Sequence, residues 1–249
     1  MHRRFSIHLF ALALALPAAA HAVTFVDEFE GGVNAAGWSY IQGFDTLEPT
    51  GGNPGGWLHS PLLDTVDPTL SSVVDGATPF TGDYHAANVT RISVDLQTLH
   101  VDFGDGSEFN VVLLLRKTNG TPDDITDDDF VYAIGAATPA VGQGWVHYQF
   151  DVPSQSADAV PAGWAGGSID DCEHFRPGVT WSDIMQRRSR GDPLPATVLL
   201  RDLPAVGGRR ADNVAIETAG PTAVEPTSWG GLKSLMPLTS RVTAHPARA

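Results

Sequence analysis

Residues 51–64 read Gly-Gly-Asn-Pro-Gly-Gly-Trp-Leu-His-Ser-Pro-Leu-Leu-Asp. Six of the first seven are Gly, Asn or Pro, and an apolar run follows at once. Glycine supplies positive φ and lets backbones approach closely, and Pro54 fixes a turn. Trp57 therefore opens a strand directly behind a tight corner. Its ring has two open roles: a buried plug for that corner, or a face on which a sugar stacks.

Working outward, short apolar segments recur between Gly-, Pro- and Asp-rich connections. They are TFVDEF, GWSYI, WLHSPLL, RISVDLQTL, FNVVLLLR, DFVYAI, WVHYQFDV, ATVLLRDL and DNVAIET. This spacing predicts an all-β antiparallel sandwich. In RISVDLQ, Ile92, Val94 and Leu96 share one face, with Ser93, Asp95 and Gln97 opposite. In WVHYQFDV, Val146, Tyr148, Phe150 and Val152 face the core, while Trp145, His147, Gln149 and Asp151 face away. Trp145 and His147 thus stand on a polar face and are candidate ligand contacts, with strand-end packing the other role open to Trp145. VVLLL is apolar on both faces, which predicts a central strand with cover on its outer side. One short helix is expected near the C-terminal end. Thr180 and Asp183 form a capping-box-like start, and Trp181, Ile184 and Met185 follow at helical spacing.

The chain begins with a basic start (His2, Arg3, Arg4), an Ala/Leu core from Phe10 to Pro17, and the small–x–small pattern Ala20-His21-Ala22. Residues 1–22 read as a signal peptide, residues 23–218 as the folded domain and residues 219–249 as a flexible tail. The expected location is secreted or periplasmic, with no membrane span. Without Arg3 and Arg4, 13 basic residues face 29 acidic ones, a formal charge of −16. Such a surface repels phosphate backbones and excludes nucleic acid as a partner, but suits divalent cations and neutral sugars. The single cysteine, Cys172, cannot form an intramolecular disulfide. It reads as an inert thiol rather than a metal ligand beside Asp170, Asp171, Glu173 and His174. The acidic run 119–129 reads as a solvated loop, with Ca²⁺ as the alternative. In the tail, Trp229, Leu232, Leu235 and Met236 form a short apolar knot that could dock a partner.

The segment TFVDEFEGGVNAAGW resembles the first strand of family 16 β-glucanases, whose chemistry needs a Glu-x-Asp-x-Glu strand. No such arrangement occurs here, and Phe29 stands between Glu28 and Glu30 where the assisting Asp would sit. There is also no Gly-x-Ser-x-Gly elbow and no His-Glu-x-x-His. The chain is not expected to be an enzyme, with a divergent carbohydrate-active enzyme as an alternative.

A fuller match runs from Trp38 to Glu217. Gly52-Asn53-Pro54-Gly55-Gly56-Trp57, Thr78-Pro79-Phe80-Thr81-Gly82-Asp83, Ile92-Ser93-Val94-Asp95-Leu96 and the closing ADNVAIET resemble the laminin B (domain IV) module. The resemblance implies a galactose-binding-like jelly-roll sandwich acting as a non-catalytic extracellular module. Its ligand would be a glycan or matrix-like component, met by Trp57, Trp145 and His147. Sandwiches of that type also imply a structural Ca²⁺ between the terminal strands, here on Asp27, Glu28, Glu30, Asp212 and Asn213. A structural or assembly role through the tail is the alternative, and the oligomeric state is open.

Overall fold

Alternation is obeyed at 146–152, while at 92–96 the opposite face, Ser93 and Asp95, is buried as well. Ile92, Val94 and Leu96 are buried together, as are Tyr148, Phe150 and Val152, whereas His147, Gln149 and Asp151 are exposed. The computed structural model describes residues 22–40, 44–63, 69–72, 78–101, 107, 109–117, 128–156, 158–168, 174–186, 197–201 and 207–220. The expected signal peptide, the tail with Trp229, the run 119–127 and Cys172 with Asp170, Asp171 and Glu173 lie outside the described residues.

Two antiparallel sheets pack face to face, and their strands are numbered in chain order. Sheet 1 runs β3 (Thr46–Gly52), β4 (Gly55–Leu63), β12 (Gly207–Thr218), β6 (Val89–Val101), β9 (Val146–Asp151). The strand β1 (Val23–Asp27) also pairs with β12, beyond the end of β4. Sheet 2 runs β10 (Trp164–Ser168), β8 (Asp129–Ala137), β7 (Asn110–Lys117), β11 (Thr197–Arg201), β5 (Thr69–Ser72), β2 (Trp38–Tyr40). The chain crosses repeatedly from one sheet to the other, so that non-consecutive strands become neighbours in both. The all-β jelly-roll sandwich is as the sequence predicts.

Three strands carry no apolar alternation and were not visible in the sequence: TLEPTGG (β3), TLSS (β5) and WAGGS (β10). Pairing with neighbours, rather than propensity, makes them strands. A second short helix, α1 (Tyr84–Ala87), adds to the one expected. The Asp83 carboxylate accepts the Ala86 N–H at 2.7 Å, and Asn88 ends the helix in the left-handed region. The expected helix, α2 (Trp181–Met185), has the reciprocal Thr180–Asp183 capping bonds.

The core is aromatic at its centre. Trp38 meets Phe80 edge-on at 4.8 Å, and Trp181 meets Trp164 at 5.1 Å. Trp38, Phe80, Tyr84 and Trp181 are fully buried, so truncating either tryptophan to Ala should cost about 3–5 kcal/mol. Strand β7 is internal to its sheet, with Val111, Leu113 and Leu115 in the core and Val112 and Leu114 half-buried outside. Asp128 and Asp129, at the end of the acidic run, are buried against Arg116 and Arg176, so these two aspartates belong to ion pairs rather than to a solvated loop. Among the described residues, no helix is long and apolar enough to cross a membrane.

Candidate functional site

The glycine-rich stretch is a hairpin. Gly52 pairs with Gly55, and Asn53-Pro54, joined by a cis peptide bond, forms its tip. The glycines are needed because the hairpin lies directly on its neighbours. A Cβ on Gly56 would stand 2.3 Å from the Phe29 carbonyl oxygen, and one on Gly52 would stand 2.6 Å from Asp212 Oδ2. Gly55 has a φ of +89°, and its Cβ would overlap the Glu30 carboxylate.

Opposite the tip, β12 bulges. Asp212 faces Asp95 on β6, and Ala215 faces Ser93, so three steps on β12 match two on β6. Asn213 takes up the extra residue at a φ of +48°. The bulge falls in the gap between β4, which ends its pairing at Ala211, and β1, which begins at Val214.

Here the hairpin tip, β12 and β6 are tied by N–H groups on carboxylates. Asp212 accepts the backbone N–H of Asn53 and that of Asn213, the latter at 2.7 Å. Asp95 Oδ2 accepts the side-chain amides of Asn213 at 2.8 Å and Asn53 at 3.2 Å. Its Oδ1 lies 2.6 Å from His147 Nδ1. Burial pushes the Asp212 carboxyl up to about 6. The two backbone N–H bonds oppose that rise, and the charges of Asp95 and Glu30 add to it.

Two rows of outward side chains cross sheet 1 beside this knot. In one, Thr46 (β3), His59 (β4), Arg210 (β12) and Gln97 (β6) stand opposite one another in register. Trp145 precedes β9 at the end of that row. In the other, Glu48 faces Trp57, and Asp212 faces Asp95, which faces His147. The Arg210 guanidinium carbon sits 4.0 Å from the Trp57 ring centroid, and its Nη1 donates to Gln97 Oε1 at 3.2 Å. Burial draws the Arg210 pKa below its ordinary value, and the Glu48 charge raises it again. Glu48 itself reaches His59 Nδ1 at 3.6 Å.

Each expected site residue has a distinct place. His147 is 57% exposed, with Nδ1 held by Asp95 and Nε2 turned away from that bond. Trp145 is half-buried and meets Trp57 edge-on at 6.5 Å. Trp57 is only 4% exposed, its indole N–H donates to the Thr50 carbonyl at 2.9 Å, and Arg210 covers its ring. Its place is thus the plug of the corner, supporting Arg210 and Trp145 from beneath. Of the five residues expected around Ca²⁺, Glu30, Asp212 and Asn213 lie at the hairpin tip, and the other two are placed otherwise. Asp27 Oδ2 accepts the Ala36 N–H at 2.8 Å, and Glu28 is exposed. Each oxygen of Asp212 accepts one N–H. Among the described residues, no three His, Cys, Asp or Glu side chains form a metal-binding group.

Arg210, Gln97, Asp95, Asn53, His59 and Glu48 were not singled out by sequence. The alternation of WLHS puts Trp57 and His59 on one face, and that of RRAD puts Arg210 with Asp212. The signal existed, but it names neither the facing strand nor the register.

No family model matches the sequence, and no curated protein does. Solved structures with a similar fold include the family 11 carbohydrate-binding module of Clostridium thermocellum in complex with a β-1,3-1,4-mixed-linked tetrasaccharide. It is 12% identical, with 82% of this chain and 100% of that one covered, at a TM-score of 0.46. A C-terminal family 22 carbohydrate-binding module from Clostridium thermocellum is 15% identical over 81% and 95% of the two chains, at a TM-score of 0.43. A Clostridium thermocellum endo-1,4-β-D-xylanase piece with CBM22-1 and GH10 modules, complexed with xylohexaose, is 13% identical at a TM-score of 0.41. The match covers 77% of this chain but 28% of that one.

Proposed function

We propose that residues 23–218 form an exported, non-catalytic module that binds a glycan on the outer face of sheet 1, after removal of a leader at residues 1–22. The single observation that carries this reading is the half-exposed Trp145, braced edge-on by the buried Trp57 and flanked by the His147–Asp95 pair. Sugar rings present apolar C–H faces and peripheral hydroxyls, and a braced indole beside fixed polar groups matches both. Asp95 orients the imidazole, so its outward nitrogen meets a hydroxyl without first losing rotamer freedom. The ligand we assign is an extracellular glycan or matrix-like component.

The test is titration calorimetry of the mature protein against xylan, mixed-linkage β-glucan, laminarin and agarose. Wild type should bind at least one of them, and Trp145→Ala should weaken that binding by about 1–3 kcal/mol, the scale of stacking on an aromatic ring. Unchanged affinity in the variant, or no binding to any of the four, would reject the reading.

A further inference from the structure

In a chain with a formal charge of −14, cations are expected to find carboxylates. Arg91 holds Asp151 and Glu217, Arg116 holds Asp128, and Arg176 holds Asp129. Arg210 holds none: among the described residues its contacts are the Trp57 ring and Gln97 Oε1. Its Nε is buried without a hydrogen-bond partner. Glu48 is the acid whose field it feels, yet that carboxylate contacts His59 instead.

The guanidinium is also held in place. The Trp57 ring lies 4.0 Å from its carbon, and Gln97 accepts one of its N–H groups. Its row ends at Trp145, the indole on which a sugar would stack. We infer that Arg210 is a carboxylate-recognising position, so that the glycan bound on this face is a mostly neutral polymer carrying isolated uronic acid units. This inference rests on the glycan-binding reading above and adds the substrate class to it.

The chemistry favours a carboxylate for two reasons. A planar guanidinium offers paired N–H donors that match the two oxygens of a carboxylate, whereas a hydroxyl satisfies only one. A partly desolvated cation also gains more from an opposing charge than an exposed one does. The surrounding charge sets the upper limit. A densely anionic polymer would be repelled by the acidic surface, while a single carboxylate every several sugars meets Arg210 with little cost elsewhere.

The test compares glucuronoxylan with the same polymer after its carboxyl groups have been reduced to alcohols. Wild type should bind the acidic form about 10-fold more tightly, the scale of one charge-assisted pair. Arg210→Gln should erase that preference, so that the two forms bind equally, and Trp145→Ala should weaken both forms alike. Circular dichroism melts establish that each variant folds. If Arg210→Gln does not, Arg210→Lys carries the test, since it keeps the charge without the planar fork and should lower the preference by about threefold. Equal wild-type affinity for the two polymers, or a preference that is undiminished in Arg210→Gln (in Arg210→Lys where the first variant does not fold), overturns the inference and leaves glycan binding standing. No binding of either polymer or of the four glycans above removes both.

Discussion

The outer faces of the two sheets differ in how their side chains are held. On sheet 2, Val112 stands opposite Ile134 and Leu114 opposite Tyr132, with Phe130 tilted on Tyr132 at 6.2 Å. Ile134 is 61% exposed, and these contacts are non-directional. On sheet 1, Asp212, Asp95, Asn53, Asn213, His147 and Arg210 are each fixed by bonds to another strand or to the hairpin tip. A surface that recognises hydroxyls and carboxylates needs donors and acceptors in set positions, and sheet 1 gathers six of them around the hairpin tip.

The largest effect that would break this contrast is at the hairpin. Gly56→Ala places a methyl 2.3 Å from a backbone oxygen, which cannot swing aside as a side chain can. Chemical denaturation should show a loss of about 3 kcal/mol, and glycan binding should fall with it because the tip locks Asp95 and Asp212. A variant with wild-type stability would mean the hairpin does not sit against Phe29.

The next effect is a pH dependence. Because Asp212 is raised from 3.8 to about 6, the folded state holds its proton more tightly than the unfolded chain does. The resulting stabilisation is fully present below pH 3.8 and is lost as pH rises through 6, a change of up to about 3 kcal/mol. The stability difference between wild type and Asp212→Asn should therefore drift by that amount from pH 3.5 to pH 7. A difference that stays constant over the range would place the Asp212 carboxyl at its ordinary value.

Calcium gives a smaller effect. A cation held only by the folded state at 100 times its dissociation constant adds about 2.7 kcal/mol. With Asp27 committed to the Ala36 N–H and no three acidic side chains grouped among the described residues, EDTA and added Ca²⁺ should leave the melting midpoint in place. A rise of several degrees on adding Ca²⁺ would return Glu30 and Asp212 to the role that the sequence resemblance implies. The smallest effect is on sheet 2. Ile134→Thr should change stability by about 0.5 kcal/mol or less and leave glycan affinity untouched. A loss of affinity there would move the binding face to the other sheet.

Much of the sandwich is legible in the chain because side-chain alternation is local. Ile92, Val94 and Leu96, or Tyr148 and Phe150, announce a buried face without knowledge of their partners. The α2 cap is readable for the same reason, since Thr180 and Asp183 are three residues apart. The first helix could have been found too, from Asp83 and Asn88 at either end of Tyr-His-Ala-Ala. Strands β3, β5 and β10 could not, because their residues carry no pattern and become strands only when a neighbour supplies hydrogen bonds.

The candidate site divides in the same way. By itself the sequence determined that His147 faces away from the core, that Trp145 stands beside it, and that a glycine-dense corner precedes Trp57. Period-two geometry and turn chemistry act within a few residues, so they survive without a fold. Only the tertiary structure brought Asn213 to Asp95 and Asn53, 118 and 160 residues away in the chain. It also laid Arg210 across Trp57 and buried the Trp57 ring. Those pairings depend on strand order and on a one-residue bulge in β12. A shift of one residue in that register would turn every side chain beyond it to the opposite face.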